Sequence, residues 1–94
     1  VTCVMNNGTW GAEAAYQNDF IDGRLIGAHI TTPEFDKVAE LYGCKGIKVE
    51  KANEIGDAIQ AGLEAECPTV IDVKCSPDAL YSFRQDSFKH KVKQ

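Results

Sequence analysis

The alternation of apolar and polar positions along the chain switches repeatedly between the period of a strand and that of a helix. Val1-Thr2-Cys3-Val4-Met5 is a β-prone run that breaks at Asn6-Asn7-Gly8, a cluster of turn-formers. Trp10 to Tyr16, with Ala12, Ala14 and Ala15, has high helix propensity and predicts a helix opening directly after that loop. Phe35, Val38, Ala39 and Tyr42 recur at i, i+3, i+4, i+7, and Thr32-Pro33 ahead of them reads as the helix start, threonine capping and proline in the first turn. Gly43 is the expected stop.

Lys45 to Glu50 alternates, with Ile47 and Val49 on one face of a strand. A further helix is expected from about Asn53, burying Ile55, Ala58, Ile59, Gly62 and Leu63. Pro68 closes it, and Thr69-Val70-Ile71-Asp72-Val73 is a β-branched run suited to a buried strand. Residues 19–31 show two glycines and no sustained period, so they read as an irregular surface connection, long enough to draw functional interest. Strands alternating with helices predict an α/β fold: a parallel sheet with crossover helices over residues 1–77, followed by a tail, 78–94, with a helical turn around Ser82 to Lys89.

Composition adds little to that picture. A hydrophobic share of 44% and a charged share of 26% are ordinary for a globular chain. The net charge of −4 conceals an asymmetry: residues 1–83 hold six Lys/Arg against thirteen Asp/Glu, whereas 84–94 hold Arg84, Lys89, Lys91 and Lys93 against Asp86. A short basic tail bearing only Phe83 and Phe88 as aromatics, with His90 solvated, is no nucleic-acid surface, and no apolar run is long enough for a bilayer. Cys3, Cys44, Cys67 and Cys75 lack metal-ligand spacing and read as free thiols, three of them in or beside core segments. Free thiols and the lack of an export signal point to the cytoplasm. The first residue is Val1 rather than methionine, so the chain is expected to be cut from a longer one.

In an open α/β sheet, ligands bind at the carboxyl ends of the strands, which places attention on Asn6-Asn7-Gly8-Thr9. Asparagine side-chain oxygens and backbone carbonyls are hard, neutral donors that Mg²⁺ accepts beside phosphate oxygens, and a helix beginning near Trp10 would turn its N-terminus toward an anion. By itself Asn-Asn-Gly is equally a plain turn.

Val4-Met5-Asn6-Asn7-Gly8-Thr9-Trp10-Gly11 resembles the closing half of the motif of thiamine-diphosphate-dependent enzymes, which opens on Gly-Asp-Gly and ends some thirty residues later on Asn-Asn. Phe35 to Gly46, the helix at 53–65 and Pro68 to Val73 resemble the rest of the C-terminal portion of that superfamily's diphosphate-binding domain. Asn7 to Glu13, Gln17 to Gly27 and Phe83-Arg84-x-Asp86 are similar to the sulfoacetaldehyde acetyltransferase branch. The resemblance implies thiamine diphosphate and Mg²⁺ as cofactors, with Asn7, Gly8, Thr9 and Trp10 at the cofactor. Asn7 supplies a side-chain oxygen and Thr9 its carbonyl to the metal. It also implies an acyl transfer from sulfoacetaldehyde to phosphate that yields acetyl phosphate and sulfite.

The same likeness implies that the Gly-Asp-Gly strand and the glutamate-bearing domain lie outside these residues. The chain is therefore expected to hold no catalytic residue and to be inactive alone, as part of a homo-oligomeric enzyme acting on small molecules. Arg24 and Arg84 are candidate anion contacts by virtue of the bidentate guanidinium, against an ordinary surface ion pair. Trp10 reads more readily as a packing anchor than as a pocket wall. Glu13 fits an intrahelical pair or a group behind the metal loop. His29 stands where the family carries an asparagine, and its role stays open. Two other readings remain at this point: a related 2-oxo acid decarboxylase or acetolactate synthase-like carboligase, and a non-catalytic α/β interaction module.

Overall fold

The computed structural model describes residues 1–79. The expected helical turn at 82–89, Arg84 and the rest of the basic tail lie outside the described residues. The described chain forms two compact units, one made of Val1–Asn7 with Thr32–Ser76, the other of Gly8–Thr31 with the described residues from Pro77.

The first unit is a three-stranded sheet: β1 (Thr2–Asn6), β2 (Lys45–Val49) and β3 (Thr69–Lys74). All pairings are parallel, in the order β1-β3-β2, so the last of the described strands in sequence lies in the middle. Cys3 and Ile47 flank Ile71, and Val4 and Lys48 flank Asp72. Between β1 and β2 the unit carries α2 (Phe35–Leu41), and between β2 and β3 a 3₁₀ turn (Ala52–Glu54) leads into α3 (Ile55–Glu64).

The two-residue period of β3 divides the unit into layers. Ile71 and Val73 point to one face with Val49, where Ala58, Ile55 and Ile59 of α3 cover them, joined by Ile47 and Cys75. The opposite face carries Gly46 and Asp72, and α2 sits there. Gly46 is what permits that approach: a Cβ at this position would overlap the Asp36 carbonyl of α2. With its backbone pressed against β2, α2 buries Asp36 and Ala39, while Tyr42 at 82% and Leu41 at 86% exposure project away. Tyr42, expected on the buried stripe, thus lies beyond the sheet's cover at the end of the helix. Leu63 is also exposed, because the buried position at this end of α3 is Gly62, against Val1 and Thr69.

The start of α2 differs from the expectation as well. The helix begins at Phe35, two residues after Pro33, and Thr32 does not cap it. Its first amide has a partner from elsewhere in the fold: the Phe35 N–H donates to the Asp72 carboxylate at 3.0 Å, while the Thr32 hydroxyl donates to Asn6 Oδ1 at 3.1 Å. At the other end Gly43 stops the helix as expected, with the Cys44 N–H closing back on the Ala39 carbonyl at 2.9 Å. Lys48, on the edge strand β2, pairs with Glu34 at 3.2 Å and Glu50 at 3.6 Å, and the hydrogen bond and charge of Glu34 raise its pKa. Among the described residues β2 lies at the edge of the sheet, and a charged lysine on an edge discourages pairing with another chain.

The second unit contains α1 (Gly11–Phe20), which buries Ala14 and Ala15. It is longer than the sequence pattern predicts and takes in the first residues of the stretch expected to be irregular. The remainder of that stretch is indeed loop. Gln17 holds it: its amide nitrogen donates to the Ile26 carbonyl at 3.1 Å and its amide oxygen accepts the Ile26 N–H at 3.0 Å. The side chain thereby acts as a short piece of strand. The four cysteines are free thiols, none of them fully buried; Cys3 lies in β1 and Cys75 packs beside the core.

Two glycine substitutions check this packing. Gly46→Ala must displace backbone and should lower stability by more than about 2 kcal/mol, in the range of overpacked cores. Gly56→Ala, in the first turn of α3 with open space around it, should gain up to about 1 kcal/mol. Urea denaturation midpoints of the two variants should move in opposite directions.

Candidate functional site

The carboxyl end of β1 is built around a buried polar cluster. Asp72, on the middle strand, has no solvent exposure. Its Oδ1 accepts from the Asn6 side-chain nitrogen at 3.1 Å, its Oδ2 from the Phe35 N–H, and Lys74 Nζ lies 3.3 Å from Oδ2. A buried ionised carboxylate is tolerated only when matched in this way. Asn6 is itself 94% shielded and committed on both ends of its amide, its nitrogen to Asp72 and its oxygen to the Thr32 hydroxyl. Its backbone carbonyl accepts the Cys75 N–H at 2.9 Å.

Of the two adjacent asparagines, Asn6 therefore belongs to the fold, and Asn7 is the next residue out from the strand. The sequence pattern singles out the pair and the resemblance singles out its outer member, but neither finds Asp72 and Thr32, the partners of Asn6. A signal for Asp72 was present: one acidic residue inside an otherwise apolar, β-branched strand needs buried partners. Thr32 had no such signal, since its hydroxyl serves a residue 26 positions away.

Gly8 turns with φ +67°, a left-handed conformation, and nothing stands within 4 Å of where a Cβ would be. The turn needs glycine for its backbone rather than for space. Beyond it, Thr9 and His29 face each other in an isolated antiparallel bridge. Its two bonds run from the Trp10 N–H to the Ala28 carbonyl at 2.7 Å and from the Ile30 N–H to the Gly8 carbonyl at 3.0 Å. The bridge thus engages the carbonyls of Gly8 and Ala28, not that of Thr9. Thr9 and His29 also line a cavity of about 300 Å³ in the second unit, with Ala14, Asn18, Leu25, Pro77 and Asp78.

Trp10 is 61% exposed, which corrects its reading as a packing anchor: the helix behind it buries alanines and leaves the indole at the surface. Arg24 is exposed and forms no ion pair with any other described residue, and Arg84 lies outside the described residues. Among the described residues no three His, Cys, Asp or Glu side chains gather as a metal centre, and no helix is long and apolar enough to cross a membrane.

The first strand of the parallel sheet thus ends on Asn6 and runs into Asn7-Gly8, with two helices on opposite faces of the sheet. The family model for the thiamine pyrophosphate enzyme, C-terminal TPP binding domain, matches residues 1–73. The chain belongs to this family. Thiamine pyrophosphate enzymes use Mg²⁺ with the cofactor, which in this domain suits the hard oxygen donors after β1.

Similar members include sulfoacetaldehyde acetyltransferase of Castellaniella defragrans, 28% identical over 94 residues, covering 96% of this chain and 16% of that protein. A probable acetolactate synthase large subunit of Methanococcus aeolicus is 31% identical over 83 residues, covering 87% and 14%. Acetolactate synthase of Mycobacterium bovis is 34% identical over 82 residues, covering 81% and 13%. The chain thus spans about one-sixth or less of the length of these relatives.

The Gly8 turn offers a direct check. Gly8→Ala should cost about 1–2 kcal/mol, the usual penalty of a left-handed residue with a Cβ, and Gly8→Asn should cost less, as read from thermal melts.

Proposed function

We propose that this thiamine pyrophosphate enzyme domain holds the diphosphate end of the cofactor through Mg²⁺, with Asn7 giving its side-chain oxygen and Thr9 its carbonyl. Gly8 and Trp10 border the same loop. The donor chemistry supports this reading: neutral amide and carbonyl oxygens are ligands Mg²⁺ accepts, and Asn6 is already spent on Asp72 and Thr32. A carboxylate ligand would come from outside these residues, in keeping with the small share of its relatives that the chain spans. Bound thiamine diphosphate supplies the carbanion chemistry. The chain's own part is to fix the metal, orient the cofactor and, through exposed Arg24, offer a guanidinium to an anionic substrate.

The whole protein, in this proposal, transfers an acetyl group from sulfoacetaldehyde to phosphate, releasing acetyl phosphate and sulfite, and works as a cytoplasmic homo-oligomer. The observation that carries this choice is the extent of the likeness: similarity to sulfoacetaldehyde acetyltransferases runs over 94 residues, whereas it runs over 83 and 82 for the acetolactate synthases. The second reading, an acetolactate synthase-like carboligase, has the higher identity of 34% in its favour.

The natural polypeptide containing residues 1–94, supplied with thiamine diphosphate and Mg²⁺, should form acetyl phosphate and sulfite from sulfoacetaldehyde and phosphate. Acetolactate formed from pyruvate instead would replace the first reading by the second, and neither product would remove both. Asn7→Ala should reduce turnover at least as much as the 10–100-fold typical of lost supporting groups around a metal. Residues 1–94 assayed alone should turn over neither substrate.

A further inference from the structure

We infer that Asp72 is a positioning residue for the metal loop: its buried carboxylate fixes Asn6 and thereby sets where Asn7 presents its oxygen to Mg²⁺. The inference rests on the assignment of Asn7 made above and adds to it a residue that never touches metal, cofactor or substrate.

The starting point is that Asp72 is a poor choice for stability. It lies in the middle of a central strand, fully buried, between Ile71 and Val73. Exchanging a buried ionic group for an apolar one of similar volume is often neutral or stabilising, so a carboxylate here needs another reason. Its partners supply one. Oδ1 is aimed at Asn6, the last residue of β1, and Oδ2 at the first amide of α2, with Lys74 beside it.

Asn6 is consequently held at three of its polar groups: nitrogen by Asp72, oxygen by Thr32, backbone carbonyl by Cys75. The Thr32 bond also ties together the two points at which the chain leaves and re-enters the first unit. Asn7 follows immediately from this clamped residue. A ligand one bond away from a residue with so little freedom starts from a narrow range of positions, and supporting hydrogen bonds behind metal ligands commonly contribute 10–100-fold to affinity.

The test measures binding of Mg²⁺ and thiamine diphosphate by titration calorimetry, on the natural polypeptide that contains these residues. Asp72→Asn keeps the shape but turns an amide N–H₂ toward one of two existing donors; Thr32→Val releases Asn6 from the other side and leaves Asp72 and the start of α2 intact. Both should weaken binding, Asp72→Asn by about 10–100-fold and Thr32→Val by less, with folded circular dichroism spectra. Because the effect passes through Asn7, neither should weaken binding further in an Asn7→Ala background; residues acting as one unit are non-additive.

Normal binding by Asp72→Asn and Thr32→Val beside weakened binding by Asn7→Ala would overturn the inference and leave the Asn7 assignment standing. An Asp72→Asn loss that persists in full in the Asn7→Ala background would do the same. Unchanged binding by Asn7→Ala would instead remove the assignment itself. Should Asp72→Asn fail to fold, Thr32→Val alone decides between these outcomes.

Discussion

An ionised carboxylate shut away from water must find its donors in the protein, and in this domain the Asp72 carboxylate finds them on three separate segments. Asn6 comes from the end of β1, the Phe35 amide from the start of α2, and Lys74 from the same strand as the acid. Each donor sits on a regular element, so satisfying the charge requires those elements to stand in one arrangement. Removing any of them would leave charge uncompensated in a low-dielectric interior. The neighbouring apolar layer, Ile71 and Val73 under α3, makes no comparable demand, because aliphatic contacts tolerate modest shifts that hydrogen bonds do not.

The elements themselves were legible in the sequence wherever the deciding physics was local. The five-residue β-prone run ahead of Asn-Asn-Gly, the β-branched run from Thr69 and the stripe from Ile55 all became the expected strand or helix, and the parallel α/β class followed. What local pattern misjudged was settled by tertiary partners. Thr32-Pro33 has every feature of a helix start, yet the start moved to Phe35 because its amide is satisfied from β3 and the Thr32 hydroxyl is used by Asn6. Tyr42 fits the helical period but falls where the sheet no longer covers the helix, and Leu63 fits it but yields the buried position to Gly62. Strand order was not readable at all, since nothing in the period of a strand says which neighbours it will take.

The candidate site was legible in a different way. Resemblance marked Asn-Asn-Gly as a cofactor loop and assigned the outer asparagine to the metal, and the family match over residues 1–73 agrees with the cofactor. The structural role of the inner asparagine becomes visible only once its hydrogen bonds are drawn. Two identical side chains in succession thus have unlike surroundings: one closed on both ends of its amide, the other following a strand end and preceding a left-handed turn.

The position of β3 has a consequence for how such a domain is made. Among the described strands it comes last in sequence and is the one that touches both others. Until Thr69–Lys74 has been synthesised, β1 and β2 lack the described strand that joins them, and the carboxylate that holds Asn6 and meets the first amide of α2 is not yet present. The loop after β1 is therefore synthesised well before the residue that anchors its start. Long-range pairing of this kind delays folding, because the entropy of closing more than sixty residues is spent before any contact repays it.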